Sequence, residues 1–328
     1  MGEFELIERV RRRLAEAGVA TGEGVLLGSG DDAALIASDG TRAVSVDVAV
    51  DGVHFRRERS SLAAIGRKAL ASALSDLAAI GAGPGEALVA LGVPADLDED
   101  GCAELTEGLV AGAADWGVAL IGGDVSSSPV FFVSVTVLGP VGSGGAVRRD
   151  GAREGDLIVV TGELGGAAAG LIVIDRPELV EQLPAGTAER LRRRQLEPEP
   201  RLAAGVALAE AGASAMIDLS DGLAGDAGHV AAASGVRLAV ELERLPIAAG
   251  VAEVAAAAGR DLAELTVAGG EDYELLAAAP EDALRNLVAL DIPVSVIGEV
   301  VDGRPGVDLI DAQGERLITS GFDQLMSG

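Results

Sequence analysis

The sequence predicts a mixed fold of strands and helices, α/β or α+β, in two domains. The chain has 328 residues, a typical length for two domains. Hydrophobic residues make up 49% of it, which allows a large buried core and argues against disorder. Segments with strand-like alternation and segments with helical apolar spacing follow one another in both halves, as mixed folds require.

The N-terminal half contains four predicted strands and three predicted helices. Alternation and β-branched residues predict strands at residues 41–50, 87–93, 118–121 and 130–138. Apolar residues at helical spacing predict helices at residues 5–17, 62–80 and 98–116.

A glycine-rich, charged stretch at residues 139–156 is the best candidate for a domain boundary. We therefore expect an N-terminal domain over residues 1–145 and a C-terminal domain over residues 146–328. In the second domain, strands are predicted at residues 157–160, 215–218, 236–241, 274–278 and 294–299. Helices are predicted after the glycine-rich GELGGAAAG and at residues 202–211 and 222–233. Residues 181–200 are polar and proline-flanked, and are expected to cross the surface.

The charge balance limits the partners and the compartment. The formal net charge of −27 opposes binding to nucleic acid or anionic lipid, and phosphate compounds would need accompanying metal cations. A single cysteine, Cys102, excludes a disulfide framework. No run approaches the ~18 apolar residues of a membrane span, and the N-terminus lacks the apolar core of a signal peptide. We expect a soluble, cytoplasmic protein with no nucleic-acid or membrane partner.

Acidic residues recur inside or directly beside apolar sequence. Each one alone is commonly a helix cap, a turn residue or a solvated charge. Recurrence along one chain, and internal positions such as those of Asp47 and Asp76, favour cation binding instead. Mg²⁺ prefers such carboxylate oxygens together with substrate phosphates. The acids are Asp31, Asp32, Asp47, Asp51, Asp76, Asp124, Asp218, Asp221, Glu271 and Asp272.

Other chemistries fit less well. The P-loop pattern GxxxxGK[ST] and a strand-linked GxGxxG fingerprint are missing. The sequence has no GxSxG and only two histidines, His54 and His229, so a serine triad has no support and zinc catalysis is disfavoured.

Seven motifs, in this order, resemble the thiamine-monophosphate kinase family: GSGDDAAL, SVDVAVDGVHF, LSDLAAIGA, LIGGDVSSS, GDLIVVTGELG, IDLSDGL and GGEDYEL. They cover roughly residues 28–276, and the C-terminal SGFDQL resembles the family's ending. The resemblance implies a two-domain PurM-like fold. Its N-terminal sheet-and-helix domain would bind ATP and Mg²⁺ and dimerise through its sheet. A C-terminal α/β domain would follow it.

The resemblance also implies an activity. The γ-phosphoryl group of ATP would pass directly, in line, to thiamine monophosphate, giving thiamine diphosphate with the help of several Mg²⁺ ions. This is the last step of thiamine diphosphate biosynthesis. Such a transfer needs positioning and charge neutralisation more than a covalent nucleophile, so no catalytic nucleophile is expected. The enzyme would be a homodimer.

Site residues follow from the positions that match the family's motifs. The implied metal ligands are Asp31, Ser45, Val46 (through its backbone), Asp47, Asp76, Asp124, Asp218 and Asp221. The implied ATP contacts are Gly123, Asp124, Arg148 and Ser220. The implied contacts to thiamine monophosphate are His54, Glu271 and Phe322. Between Arg148 and its neighbour Arg149, the sequence leaves open which one contacts phosphate. We expect Asp31→Asn to cost more activity than Asp32→Asn.

Four positions depart from the family's pattern. Ala73 replaces an asparagine, Val125 replaces a threonine, Thr106 replaces an aromatic residue that contacts adenine, and Val46 is apolar. None of the departures removes a carboxylate. Two alternatives remain open. One is another ATP-using member of the superfamily, such as aminoimidazole-ribonucleotide synthetase or the hydrogenase maturation factor HypE. The other is a non-catalytic protein that binds magnesium and nucleotide.

Overall fold

A computed structural model describes residues 25–27, 31, 34–38, 40–289 and 292–317 of the chain. It contains two sheets with helices packed on them, which confirms the prediction of a mixed fold. The predicted helix at residues 5–17 and the predicted substrate contact Phe322 lie outside the described residues. The division into domains at residues 145 and 146 stays a prediction.

The first sheet has six strands in the order β1-β2-β3-β6-β4-β5. Strands β4 and β5 are parallel, and the other neighbours are antiparallel. The strands are β1 (Val25–Leu27), β2 (Ala34–Ser38), β3 (Gly40–Val50), β4 (Glu86–Val93), β5 (Ala119–Ser127) and β6 (Phe132–Pro140).

Two helices, α1 (Leu62–Ala79) and α2 (Glu99–Trp116), accompany this sheet. Ser61 caps α1 by accepting a hydrogen bond from the N–H of Ala64, and Asp98 caps α2 in the same way. The helices approach so closely that a Cβ on Gly108 would lie 1.8 Å from the carbonyl oxygen of Ala63. This close packing fixes α1, which carries several of the predicted site residues.

Among the described residues, the opposite face of the first sheet is open. Ala43 and Ser45 of β3 point towards α1, whereas Val46 and Val48 point away and are 60% and 41% exposed. Leu88 of β4 shares that open face and is 39% exposed. An apolar row of this kind on one sheet face is a candidate interaction surface.

The second sheet has seven strands in the order β13-β12-β9-β11-β7-β10-β8. Strands β9 and β12 are parallel and the other neighbours are antiparallel. The strands are β7 (Leu157–Thr161), β8 (Ala215–Asp218), β9 (Arg237–Glu241), β10 (Leu275–Ala279), β11 (Val294–Val301), β12 (Gly306–Ile310) and β13 (Arg316–Leu317).

Six α-helices belong to the second half of the described chain. They are α3 (Gly166–Asp175), α4 (Thr187–Leu196), α5 (Leu202–Ala211), α6 (Leu223–Ser234), α7 (Val251–Ala258) and α8 (Glu281–Ala289). Three shorter turns of helix occupy Pro177–Gln182, Leu242–Arg244 and Glu264–Ala268. No helix in the described part of the chain is both long enough and apolar enough to span a membrane.

Within residues 181–200, which the sequence predicts to cross the surface, the structure contains helix α4. Ala188, Leu191 and Gln195 are buried at helical spacing, so one face of a polar segment packs inward. The flanking prolines Pro184 and Pro198 lie outside the helix and leave its ten residues free of breakers.

Strand β5 is also longer than the predicted strand at residues 118–121. It continues through two glycines, and a Cβ on Gly123 would lie 1.8 Å from the carbonyl oxygen of Val89. Only glycine permits this approach of the two backbones, so the glycine pair is part of the strand.

Helix α1 also contacts the second half of the molecule. It packs against α5 and β8, and a Cβ on Gly205 would lie 2.2 Å from the carbonyl oxygen of Ala78. One hydrophobic cluster includes residues of both halves, among them Leu74, Val135, Met216 and Leu275. The two sheets therefore share α1 as a common layer.

Candidate active site

One face of α1 carries four polar side chains that reach neighbouring elements. Lys68, Ser72, Ser75 and Asp76 are spaced four, three and one residues apart, which places them along one side of a helix. Their partners come from β3, β8 and the loop before β10, so α1 organises the candidate site.

Strand β3 contributes a hydroxyl and a carboxylate at the first-sheet side. Ser45 donates a short hydrogen bond to Asp76. Asp47 lies two residues further along the strand and so points to the same face as Ser45. Its carboxylate accepts a hydrogen bond of 2.7 Å from the N–H of Val48. The structure thus brings three of the predicted metal ligands to one side of β3.

Asp218 contributes a buried carboxylate at the end of β8. Its side chain accepts a hydrogen bond of 2.7 Å from the hydroxyl of Ser75. Burial raises the pKa of Asp218, and the hydroxyl of Ser75 and the charge of Arg149 oppose that rise. The negative charge of Asp47 raises the pKa further. Carboxylates from the two sheets are therefore close enough to repel one another, which is the arrangement a bound cation would stabilise.

Asp31 is tied to Arg149. Its side chain is 4% exposed and accepts from the N–H and from Nε of Arg149 at 3.2 and 3.3 Å. Arg148, in contrast, is half exposed and pairs with Asp150. Of the two arginines that the sequence leaves open, Arg149 is the one that lies among the carboxylates, and the predicted ATP contact of Arg148 stays a prediction.

Asp124 lies apart from this group. It is exposed on β5, where it accepts a hydrogen bond of 3.1 Å from Ser126. The strand register places Gly123 in the same row as Asp47, so the next residue, Asp124, points to the other face of the sheet. Its roles towards metal and ATP stay predictions.

The loop after β8 holds Ser220 and Asp221. The carbonyl oxygen of Ser220 accepts a hydrogen bond of 2.8 Å from the N–H of Glu271. The N–H of Asp221 donates to the carboxylate of Asp226 at 3.1 Å, and α6 is capped by Gly222 rather than by Asp221. This loop therefore lies against the GGEDYE segment that precedes β10.

The GGEDYE segment has a strained backbone. Glu271 and Tyr273 have φ angles of 68° and 49°, in the left-handed region that side chains other than glycine seldom adopt. The hydroxyl of Tyr273 is 2.7 Å from that of Ser72 on α1. Burial raises the pKa of Tyr273 well above its ordinary value, so it stays protonated. Strain at a segment fixed from several sides is typical of functional sites.

Glu271 itself is fixed by two partners. Its Oε1 atom is 3.0 Å from Nζ of Lys68, and its Oε2 atom accepts a hydrogen bond of 2.5 Å from Nε2 of Gln195. The sequence did not identify Lys68, Ser72, Gln195 or Tyr273 as site residues. The available signals were the spacing of Lys68 and Ser72 before Asp76, the position of Lys68 as the single lysine of the chain, and the place of Tyr273 inside the GGEDYEL motif.

Two further acids of this segment have structural partners. Asp272 accepts from the N–H groups of Gly165 and Ala167 at 2.6 and 2.9 Å, at the start of α3. Burial raises the pKa of Asp272 to about 6, against the effect of these N–H groups. Glu274 is fully buried and pairs with Arg201. These contacts hold the segment on the second sheet.

The remaining predicted residues are placed as follows. His54 accepts a hydrogen bond of 3.1 Å from the N–H of Val50 through Nδ1, and Val46 is exposed on the open face of the sheet. Across the described ranges, no three His, Cys, Asp or Glu side chains are close enough together to hold a metal ion. The donor types nevertheless suit a hard cation, because they are carboxylates and hydroxyls.

Two family descriptions match the chain. The N-terminal domain of AIR synthase related proteins matches residues 30–141, and the C-terminal domain of the same proteins matches residues 153–310. Together they cover most of the chain and confirm the two-part fold that the sequence predicts. Dimerisation through the first sheet stays a prediction.

Individual relatives match over nearly the whole length. A thiamine-monophosphate kinase of Mycobacterium tuberculosis (strain CDC 1551 / Oshkosh) is 37% identical over 319 residues, 95% of this chain and 89% of that protein. A solved thiamine-monophosphate kinase from Stenotrophomonas maltophilia K279a is 40% identical, with a TM-score of 0.75, covering 96% of this chain and 98% of that chain. A structure described as AaThiL complexed with AMPPCP and TMP is 29% identical, with a TM-score of 0.84, covering 98% and 96% of the two chains.

Proposed function

The chain belongs to the thiamine-monophosphate kinase family, and from that membership we propose that it phosphorylates thiamine monophosphate with ATP. The products are thiamine diphosphate and ADP. The observation that carries the proposal is the similarity over 95% of the chain to a protein named for this activity. That similarity spans both sheets.

Magnesium fits the donor set of the site. Ser45, Asp47, Asp76 and Asp218 offer only oxygen atoms, and Asp218 is buried beside the like charge of Asp47. These four residues, with Asp31, would hold the ions. Bound Mg²⁺ would neutralise the phosphate charges that a chain of net charge −27 would otherwise repel.

The chain's own residues position the reactants in this mechanism. An oxygen of the acceptor phosphate forms a bond to the γ-phosphorus of ATP while the bond from that phosphorus to the bridging oxygen of ADP breaks. The attacking oxygen is already ionised near neutral pH, so no strong general base is needed. Arg149, held beside Asp31, supplies a guanidinium that suits phosphate geometry. No residue is phosphorylated in between.

Recognition of the thiamine ring is assigned to three residues. Glu271 complements the positive charge of the thiazolium ring, while His54 and Phe322 supply ring contacts. Support for Glu271 comes from its fixed orientation between Lys68 and Gln195. The ATP contacts Gly123, Asp124, Arg148 and Ser220 remain part of the proposal on the basis of family position alone.

A homodimer through the first sheet completes the proposal. Its support is the open face on which Val46, Val48 and Leu88 are 60%, 41% and 39% exposed. Burying such a row against a second copy removes apolar surface from water. We expect analytical ultracentrifugation to show a dimer that Val48→Glu converts to a monomer, and a monomeric wild-type chain would contradict this part.

The activity is tested by incubating the purified full chain with ATP, thiamine monophosphate and Mg²⁺. We expect thiamine diphosphate and ADP in equal amounts by chromatography, and no product when chelator removes the Mg²⁺. Glu264→Gln, at an exposed position on a short helix, serves as a matched control that keeps full activity.

Two outcomes would contradict the proposed function. Turnover of formylglycinamidine ribonucleotide without turnover of thiamine monophosphate would favour the synthetase alternative. Binding of Mg²⁺ and ATP with release of unchanged ATP, whatever the second substrate, would indicate a binding protein rather than a kinase.

A further inference from the structure

Lys68 is the only lysine in a chain with 52 acidic residues. It lies on α1 with its side chain only 12% exposed, and its Nζ atom is 3.0 Å from Oε1 of Glu271. A long cationic side chain is seldom withdrawn from water to this extent without a specific partner. The pair therefore joins the N-terminal helix α1 to the segment proposed to bind the thiamine ring.

The carboxylate of Glu271 is held in place before any substrate binds. Gln195 of α4 fixes its second oxygen at 2.5 Å, and the backbone N–H of Glu271 donates to the carbonyl oxygen of Ser220. The φ angle of 68° costs free energy that these contacts must offset. Because α1, α4 and the loop after β8 all contribute, the position of this carboxylate is set by three separate elements.

The charge of Glu271 is already neutralised in this arrangement. A thiazolium ring arriving at Glu271 would place a second cation beside Lys68, and like charges in a partly buried site repel. The ring can displace Lys68 at low cost only if the lysine finds another anion. Thiamine monophosphate brings one such group, the phosphate on its two-carbon arm.

The polar side chains along one face of α1 indicate where the phosphate of a bound substrate would lie. Lys68 and Ser72 contact the GGEDYE segment, whereas Ser75 contacts Asp218 and Asp76 contacts Ser45. At 1.5 Å per residue, the eight residues from Lys68 to Asp76 span about 12 Å of helix. A substrate with its ring at Glu271 and its phosphate directed towards the carboxylates must run along this face, within reach of Lys68.

We propose that Lys68 determines specificity for the phosphorylated substrate by exchanging partners. Without substrate it pairs with Glu271, and with thiamine monophosphate bound the thiazolium ring takes its place at Glu271 while Lys68 pairs with the acceptor phosphate. Thiamine, which lacks the phosphate, must displace Lys68 without offering it a partner and is therefore discriminated against. This inference rests on the proposed function.

The test compares two ligands on the full-length wild type, Lys68→Met and Lys68→Arg. The KM for thiamine monophosphate and the inhibition constant for thiamine are measured at saturating ATP, with melting temperatures as a check on folding. In Lys68→Met we expect the KM for thiamine monophosphate to rise at least tenfold, while thiamine binds equally well or more tightly. Lys68→Arg should restore most of the affinity for thiamine monophosphate.

The opposite pattern would overturn the inference. If Lys68→Met weakens both ligands by the same factor, the lysine only supports Glu271, and if neither changes, it has no role in binding. In both cases wild-type turnover of thiamine monophosphate leaves the proposed function intact. Absence of turnover in the wild type would instead contradict the proposed function itself, and the partner exchange with it.

Discussion

Two buried carboxylates at the same end of the second sheet, Glu274 and Asp218, have opposite surroundings. Glu274 is fully buried and lies between the guanidinium groups of Arg201 and Arg194, 2.5 and 3.5 Å away. Burial raises the pKa of Asp218, and the carboxylate of Asp47 raises it further, against the opposing effects of the Ser75 hydroxyl and the charge of Arg149. Their strands are in register, with Asp218 opposite Leu275, so depth in the sheet does not distinguish them.

The difference separates a structural carboxylate from a candidate functional one. The charge of Glu274 is balanced by arginines, which also anchor α4 and the start of α5 to the sheet. Asp218 has local surroundings that favour its protonated form, and a divalent cation would reverse that preference. Burial of a carboxylate alone therefore does not indicate a functional site. The groups that contact the carboxylate are the better indicator.

The largest expected effect is the loss of activity when Asp218 or its neighbour Asp47 is replaced. Asp218→Asn and Asp47→Asn should each lower kcat at least 1000-fold, equivalent to about 4 kcal/mol of transition-state stabilisation, because each removes a charge that would hold Mg²⁺. The melting temperature of Asp218→Asn should stay the same or rise, because the neutral amide avoids the desolvation cost of a buried carboxylate. Steady-state kinetics and calorimetry measure both, and retained activity in both variants would contradict the metal-based account.

The largest loss of unfolding free energy is expected when Glu274 is replaced. Glu274→Ala leaves Arg201 and Arg194 facing a partly buried space without their anion, which should cost about 4 kcal/mol of unfolding free energy. Urea denaturation measures the loss. A variant as stable as the wild type would show that the buried pair is not what holds α4 and α5 in place.

A smaller effect concerns pH. Burial raises the pKa of Asp272 from 3.8 to about 6, so the folded chain favours the neutral form more than the unfolded chain does. The stability it contributes is fully present below pH 3.8 and is lost as the pH rises through 6, by at most about 3 kcal/mol. Compared with Asp272→Asn, which does not titrate, the wild type should lose unfolding free energy between pH 4 and pH 7. Parallel pH profiles for the two proteins would contradict this assignment.

The smallest effect is expected for an exposed pair of the same chemistry. Glu264 pairs with Arg260 at a surface where both side chains are about half exposed. Glu264→Ala should change the unfolding free energy by less than about 1 kcal/mol, because water screens the pair. If Glu264→Ala lost as much unfolding free energy as Glu274→Ala, the stabilisation would come from pairing with arginine and not from burial of the pair.

Much of the fold could be predicted because local patterns determine it. Strand β3 and helix α1 have a clear apolar period, and the predicted segments at residues 41–50 and 62–80 match them closely. Helix α4 could not be predicted, because prolines flank the segment, arginines dominate the helix, and its buried face is narrow. The predicted strand at residues 118–121 is shorter than β5, because only the close approach of Gly123 to β4 shows that the glycines belong to the strand.

The candidate site could be predicted only in part, for a related reason. Asp47 and Asp76 were distinguished by their apolar surroundings, which is local information. The partners of Glu271 come from α1 and α4, and the choice of Arg149 over Arg148 depends on which side chain points towards Asp31. Such orientations arise from packing between distant segments, and one sequence does not reveal them.

We propose that Asp218 belongs to a metal site and that Glu274 does not. Binding of Mn²⁺, a probe for Mg²⁺, to the full chain with a non-hydrolysable ATP analogue can be followed by electron paramagnetic resonance. The account predicts at least tenfold weaker Mn²⁺ binding in Asp218→Asn, with wild-type binding in the control Glu264→Gln. Mn²⁺ binding by Asp218→Asn as tight as that of the wild type would contradict it.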